Sequence, residues 1–76
     1  MLYKERIESN PNVMLGKPVI KGTRITVELI LKKLAEGANR KDLLTIYPHL
    51  LNEDINAVLD YASRVIGNED VIDLSE

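Results

Sequence analysis

From Val27 onward the apolar residues recur at helical spacing, and three helices are predicted. Val27, Ile30, Leu31 and Leu34 fall at i, i+3, i+4 and i+7, which places one apolar stripe on one face. Thr26 precedes them, and a threonine hydroxyl can accept from the free N–H groups of a first turn. Gly37 ends this helix by taking the left-handed conformation at its C-terminus. The second helix starts at Asn39, with Asp42 three residues on in a capping-box arrangement. It carries Leu43, Ile46 and Tyr47 inward and stops at Pro48. The third starts at Asn52, with Glu53 and Asp54 in a first turn whose dipole favours anions. Its stripe is the longest, Ile55, Val58, Leu59, Ala62, Val65 and Ile66, closed by Gly67.

Before Val27 the rhythm changes. Leu2–Glu8 suits a short strand, and Asn10-Pro11-Asn12 and Gly16-Lys17-Pro18 are breaks. Val19-Ile20 and Thr23-Arg24-Ile25-Thr26 are β-rich arms around Lys21-Gly22, a tight turn with Gly22 at positive φ. Arms of two residues do not stand alone. They need the N-terminal strand, or the same segment of a second chain. After Gly67, Val71, Ile72 and Leu74 alternate with Asp70 and Asp73, a pattern that fits a short strand or a disordered end. The expected organisation is one domain over residues 1–67 and an acidic tail over 68–76.

Seventy-six residues support a single core that buries only about 60–65% of the unfolded surface. There is no cysteine, so neither disulfides nor thiolate metal sites can add stability. Oligomerisation is the remaining common means, and a homodimer is expected. No apolar run approaches the roughly 20 residues of a membrane helix. The opening residues lack the apolar stretch of a signal peptide, so a cytoplasmic location is expected.

Net charge is −2, but the charges are segregated. Between Lys17 and Lys41 seven bases (Lys17, Lys21, Arg24, Lys32, Lys33, Arg40 and Lys41) face two acids, Glu28 and Glu36, a net +5. From Glu69 onward four acids stand with no base, a net −4. A basic middle and an acidic end predict two different surfaces.

Catalytic chemistry has no foothold in this sequence. Nucleophilic catalysis needs a nucleophile, a base and an orienting group, and the single histidine, His49, sits between Pro48 and Leu50 in a helix connection. One histidine and no cysteine give no metal set and no cofactor site. The Gly16–Thr23 stretch fails as a phosphate loop, because Lys21 precedes Gly22 instead of following it at a helix start. Asp54 and Asp60 read as solvated helix charges. The expectation is a binding protein that is not an enzyme.

The run Gly16-Lys17-Pro18-Val19-Ile20-Lys21-Gly22-Thr23-Arg24-Ile25-Thr26-Val27, followed by Leu34-Ala35-Glu36-Gly37-Ala38 and Tyr47-Pro48-His49-Leu50, closely resembles a small prokaryotic family, domain of unknown function four-three-three. The resemblance extends from about Ile7 to Tyr61. Many of its members are described as antitoxins of the VapB type. It implies a mainly α, helix-turn-helix-like three-helix bundle (winged or homeodomain-like) with a short N-terminal β-arm. It also implies a PIN-like ribonuclease toxin as partner.

Two interaction surfaces are expected on this basis. In a helix-turn-helix protein the last helix presents its N-terminus to the major groove. Here that would offer Glu53, Asp54 and Asn56, whose carboxylates repel phosphates. DNA, the protein's own promoter, is instead expected to meet Lys17, Lys21 and Arg24 on the arm with Lys32, Lys33, Arg40 and Lys41 nearby, paired across a dimer axis. Arg24 equally suits a salt bridge to Glu28, four residues on, or to an acid of the last helix. A toxin is expected to meet the tail, with Val71, Ile72 and Leu74 as anchors between Asp70 and Asp73. A stand-alone DNA-binding regulator, or a protein-interaction module, is the alternative function.

Overall fold

The computed structural model describes residues 3–68. Three helices, α1 (Val27–Ala35), α2 (Arg40–Ile46) and α3 (Asn52–Asn68), follow an arm that holds two short strands, β1 (Ile7–Glu8) and β2 (Val19–Ile20). The strands pair antiparallel, with Ile7 opposite Ile20 and Glu8 opposite Val19. The pairing is therefore made within one chain. The expected Leu2–Glu8 strand is shorter than its sequence suggests. Tyr3–Glu5 form a 3-10 turn, closed by the Arg6 N–H donating to the Tyr3 carbonyl, and Leu2 lies outside the described residues.

The helix ends follow their local chemistry. The Thr26 hydroxyl accepts from the Leu29 N–H at 3.0 Å. At the other end of α1, Gly37 takes φ +107°, the Gly37 N–H donates to Leu34 and the Ala38 N–H to Lys33. That pair of bonds is the Schellman arrangement, which satisfies carbonyls the helix cannot. Asn39 and Asp42 complete a reciprocal capping box. The Lys21-Gly22 turn is closed by the Thr23 N–H donating to Ile20, with Gly22 at φ +76°. A type II turn requires that positive φ, which glycine takes without strain.

The core gathers Ile7, Val19 and Ile20 from the arm, Val27 and Ile30 from α1, Leu43 from α2, Leu50, and Ile55, Ala57 and Val58 from α3. Burying each of the largest of these contributes about 1.5–3 kcal/mol. The arm thus closes one end of the helical core and packs directly against α3.

The inward face of α3 is rotated from the one its apolar residues suggest. Asp54, Ala57, Val58 and Tyr61 fall at i, i+3, i+4 and i+7 and turn toward the arm, with Ile55 beside them. Asp54 is not a solvated charge. It is 6% exposed, one carboxylate oxygen accepts from Arg6 Nη1 at 3.0 Å and the other from the Leu51 N–H at 2.9 Å. Tyr3 adds an edge-on contact to Tyr61, with ring centroids 5.2 Å apart. Once the arm covers this side, Leu59, Val65 and Ile66 are left exposed, Ile66 to 71%. Ile46 is likewise half exposed, and α3 continues through Gly67 to Asn68. Asp60 is partly buried and bonded to Arg64 at 3.1 Å, one turn along the same helix.

Candidate nucleic-acid interface

A recess of about 290 Å³ opens where the arm meets α1, lined by Met14, Lys17, Arg24, Thr26, Glu28, Leu29 and Lys32. Each element contributes for a local reason. Pro18 follows Lys17 and leads into β2, and the Val27 N–H donates back to the Pro18 carbonyl, which fixes Lys17 beside the start of α1. Arg24 lies on the far arm of the type II turn. That arm is held by the Ile20 N–H donating to Ile25 and by the bridge between Val19 and Thr26. Glu28 and Lys32, four apart, share one face of α1. Thr26, whose hydroxyl caps the helix, also lines the recess.

Its electrostatics are cationic with one counter-charge. Lys17 Nζ and Glu28 Oε1 are 3.0 Å apart, so Glu28 pairs with Lys17 and not with Arg24. Both partners are solvent-exposed, and such a pair contributes only about 0–1 kcal/mol. Among the described residues Arg24 and Lys32 have no carboxylate partner, which leaves the recess with three cations against one anion.

Of the seven bases singled out by sequence, the structure brings Lys17, Arg24 and Lys32 together. Lys21 is exposed at the tip of its turn, its N–H donating to the Arg6 carbonyl. Lys33 is half-buried on another face of α1. Arg40 and Lys41 open α2, and Arg40 Nη2 donates to Asn56 Oδ1 of α3 at 2.7 Å. Neither lines the recess, and Arg40 bridges α2 to α3. The tail positions Asp70, Val71, Ile72, Asp73 and Leu74 lie outside the described residues.

Met14 and Leu29 went unnoticed in the sequence because neither belongs to a motif. The left-handed turn beside the recess was missed for the same reason. Met14, Leu15 and Gly16 take φ of +50°, +59° and +84° in succession. His49 is exposed between α2 and α3, and among the described residues no three His, Cys, Asp or Glu side chains converge as metal ligands.

A three-helix domain whose β-arm forms a cationic recess against its first helix defines the class. The chain belongs to the family described as protein of unknown function (DUF433), which matches residues 7–62. It is similar to a DUF433 member protein from Anabaena variabilis ATCC 29413, solved by crystallography at 2.00 Å, with a TM-score of 0.78 and 34% identity. The match covers 82% of this chain and 61% of that one, so this chain spans less than two thirds of that protein's length. No curated protein matches.

Proposed function

We propose that this chain is a non-catalytic antitoxin of a type II toxin–antitoxin pair, binding its own promoter DNA and a PIN-like ribonuclease. The observation that carries the DNA half is the recess. Arg24 and Lys32 stand beside Lys17 without acidic partners among the described residues, where the arm meets α1, and cations so placed can neutralise phosphates and release counterions. The burial of Asp54 weakens one objection to DNA binding, because its charge is paired with Arg6. One such recess per protomer suits a homodimer that meets two half-sites. The toxin half rests on the family resemblance. It is supported by the exposed apolar positions Val65 and Ile66 on the last turns of α3, where the chain leads toward the acidic tail, and by Leu59 midway along the same helix.

The test is co-expression of the tagged chain with the adjoining reading frame, followed by retardation of the upstream DNA. A stoichiometric complex with a ribonuclease-like protein, which also retards that DNA, supports the antitoxin. A chain that purifies alone as a dimer and still retards the DNA assigns it to the stand-alone regulators. A chain that does neither removes both readings.

A further inference from the structure

Among the described residues Leu15 is the large apolar side chain that the fold uses least. It is 92% exposed, the largest exposure among the large apolar residues described. Its backbone sits at φ +59° and ψ 29°, in the left-handed region that a residue with a Cβ enters only at a cost. Met14 before it is left-handed as well. The turn is nevertheless well determined. The Val13 N–H donates to Asn10, the Gly16 N–H to Val13 and the Lys17 N–H to Met14, while the Asn12 N–H donates to the Asn10 side chain. A short, braced turn thus holds a bare leucine out into solvent. The residues on either side of it, Met14 and, past Gly16, Lys17, line the cationic recess.

A non-glycine residue held in the left-handed region is costly, and its coincidence with an exposed leucine, beside cations that have no carboxylate partner among the described residues, points to a contact surface. Charge complementarity selects the partner. A recess lined by Lys17, Arg24 and Lys32 suits a polyanion, and a protruding leucine is one of the side chains that proteins press into a minor groove to part a base step. We infer that the turn and the recess form a single grip on duplex DNA. Arg24 and Lys32 hold a backbone phosphate, and Leu15 wedges into the minor groove beside it. This rests on the DNA-binding reading and adds to it the groove, the wedge and the phosphate ligands. The exposed Lys17–Glu28 pair holds Lys17 beside the recess.

The experiment titrates the full chain into a duplex of the upstream DNA, carrying 2-aminopurine at successive steps, over a range of salt concentrations. The variants are Arg24→Gln with Lys32→Gln, Leu15→Gly, and Leu15→Met. Glycine accepts the left-handed turn, so Leu15→Gly removes the wedge while keeping the backbone. The paired charge variant is expected to lose roughly tenfold or more in affinity, and its log–log salt slope should become shallower by roughly one to two. Leu15→Gly is expected to weaken binding several-fold with the slope unchanged, because an apolar contact releases no counterions. It should also abolish a 2-aminopurine brightening that Leu15→Met retains. If the parent chain binds DNA but the paired charge variant keeps its salt slope, or Leu15→Gly keeps its brightening, the grip is wrong and DNA binding stands. If the parent chain does not bind the duplex at all, the grip falls together with the reading beneath it. If Leu15→Gly leaves DNA binding intact but abolishes a protein complex, the wedge belongs to a protein interface and the inference is overturned.

Discussion

Among the described residues three connections carry the backbone through positive φ, and two of them contrast, the one between α1 and α2 and the one between β1 and β2. At the α1–α2 junction the residue is Gly37, and the neighbouring Ala38 is half-buried. Every device there agrees, from the Schellman bonds of Gly37 and Ala38 to the capping box of Asn39 and Asp42. At the turn before β2 the same region of conformational space is occupied by Met14 and Leu15 as well as Gly16, and both long side chains are exposed. The first connection is what a sequence does when only folding is at stake. The second breaks local rules, braced by backbone hydrogen bonds but with the Leu15 side chain left in solvent. Such departures are expected where a molecule is built to touch something else.

The largest expected effect lies on the satisfied side of this comparison. Asp54→Ala strands the part-buried Arg6 guanidinium and removes the cap of α3, and it is expected to cost about 2–3 kcal/mol in denaturant unfolding. A cost near zero would mean that arm and helix are not locked together. Next comes Gly37→Ala, which forces a Cβ into the left-handed position and should cost about 1 kcal/mol. An unchanged midpoint would remove the contrast between the two connections. The smallest change is Glu28→Gln. Stability should move by less than about 0.5 kcal/mol, because both partners of the pair are exposed. DNA affinity should rise a few-fold at low salt, as one negative charge leaves the recess; weaker binding would mean that Glu28 serves the interface and does not merely orient Lys17.

The helices were legible because their signals are local. Thr26, Gly37, Asn39 and Asp42 each act within a few residues of themselves, and the structure uses each as its chemistry suggests. The face of α3 was not legible. Its inward stripe includes Asp54, which looks like a surface charge until Arg6, 48 residues earlier in the chain, is brought against it. Pairing that charge makes burial tolerable, turns Ala57 and Tyr61 inward and leaves Leu59 and Ile66 outside. The recess was half legible. A run of basic residues drew attention to Lys17, Arg24 and Lys32, but separating them from Lys33, Arg40 and Lys41 required knowing which face of α1 meets the arm. Leu15 left no trace in the sequence, since an exposed, left-handed leucine differs from a core leucine only once the backbone is known.

The most direct test of the central claim, that the turn before β2 is held under strain for binding, is one comparison on the variant Leu15→Gly. Its unfolding free energy and its Kd for the upstream duplex are measured side by side with those of the parent chain. Relief of the left-handed strain, less the backbone freedom that glycine adds to the unfolded chain, is expected to stabilise the fold by about 0.5–1 kcal/mol. The same substitution is expected to weaken DNA binding several-fold, so that stability and affinity move in opposite directions. A variant that is less stable, or that binds as tightly as the parent, would contradict the account.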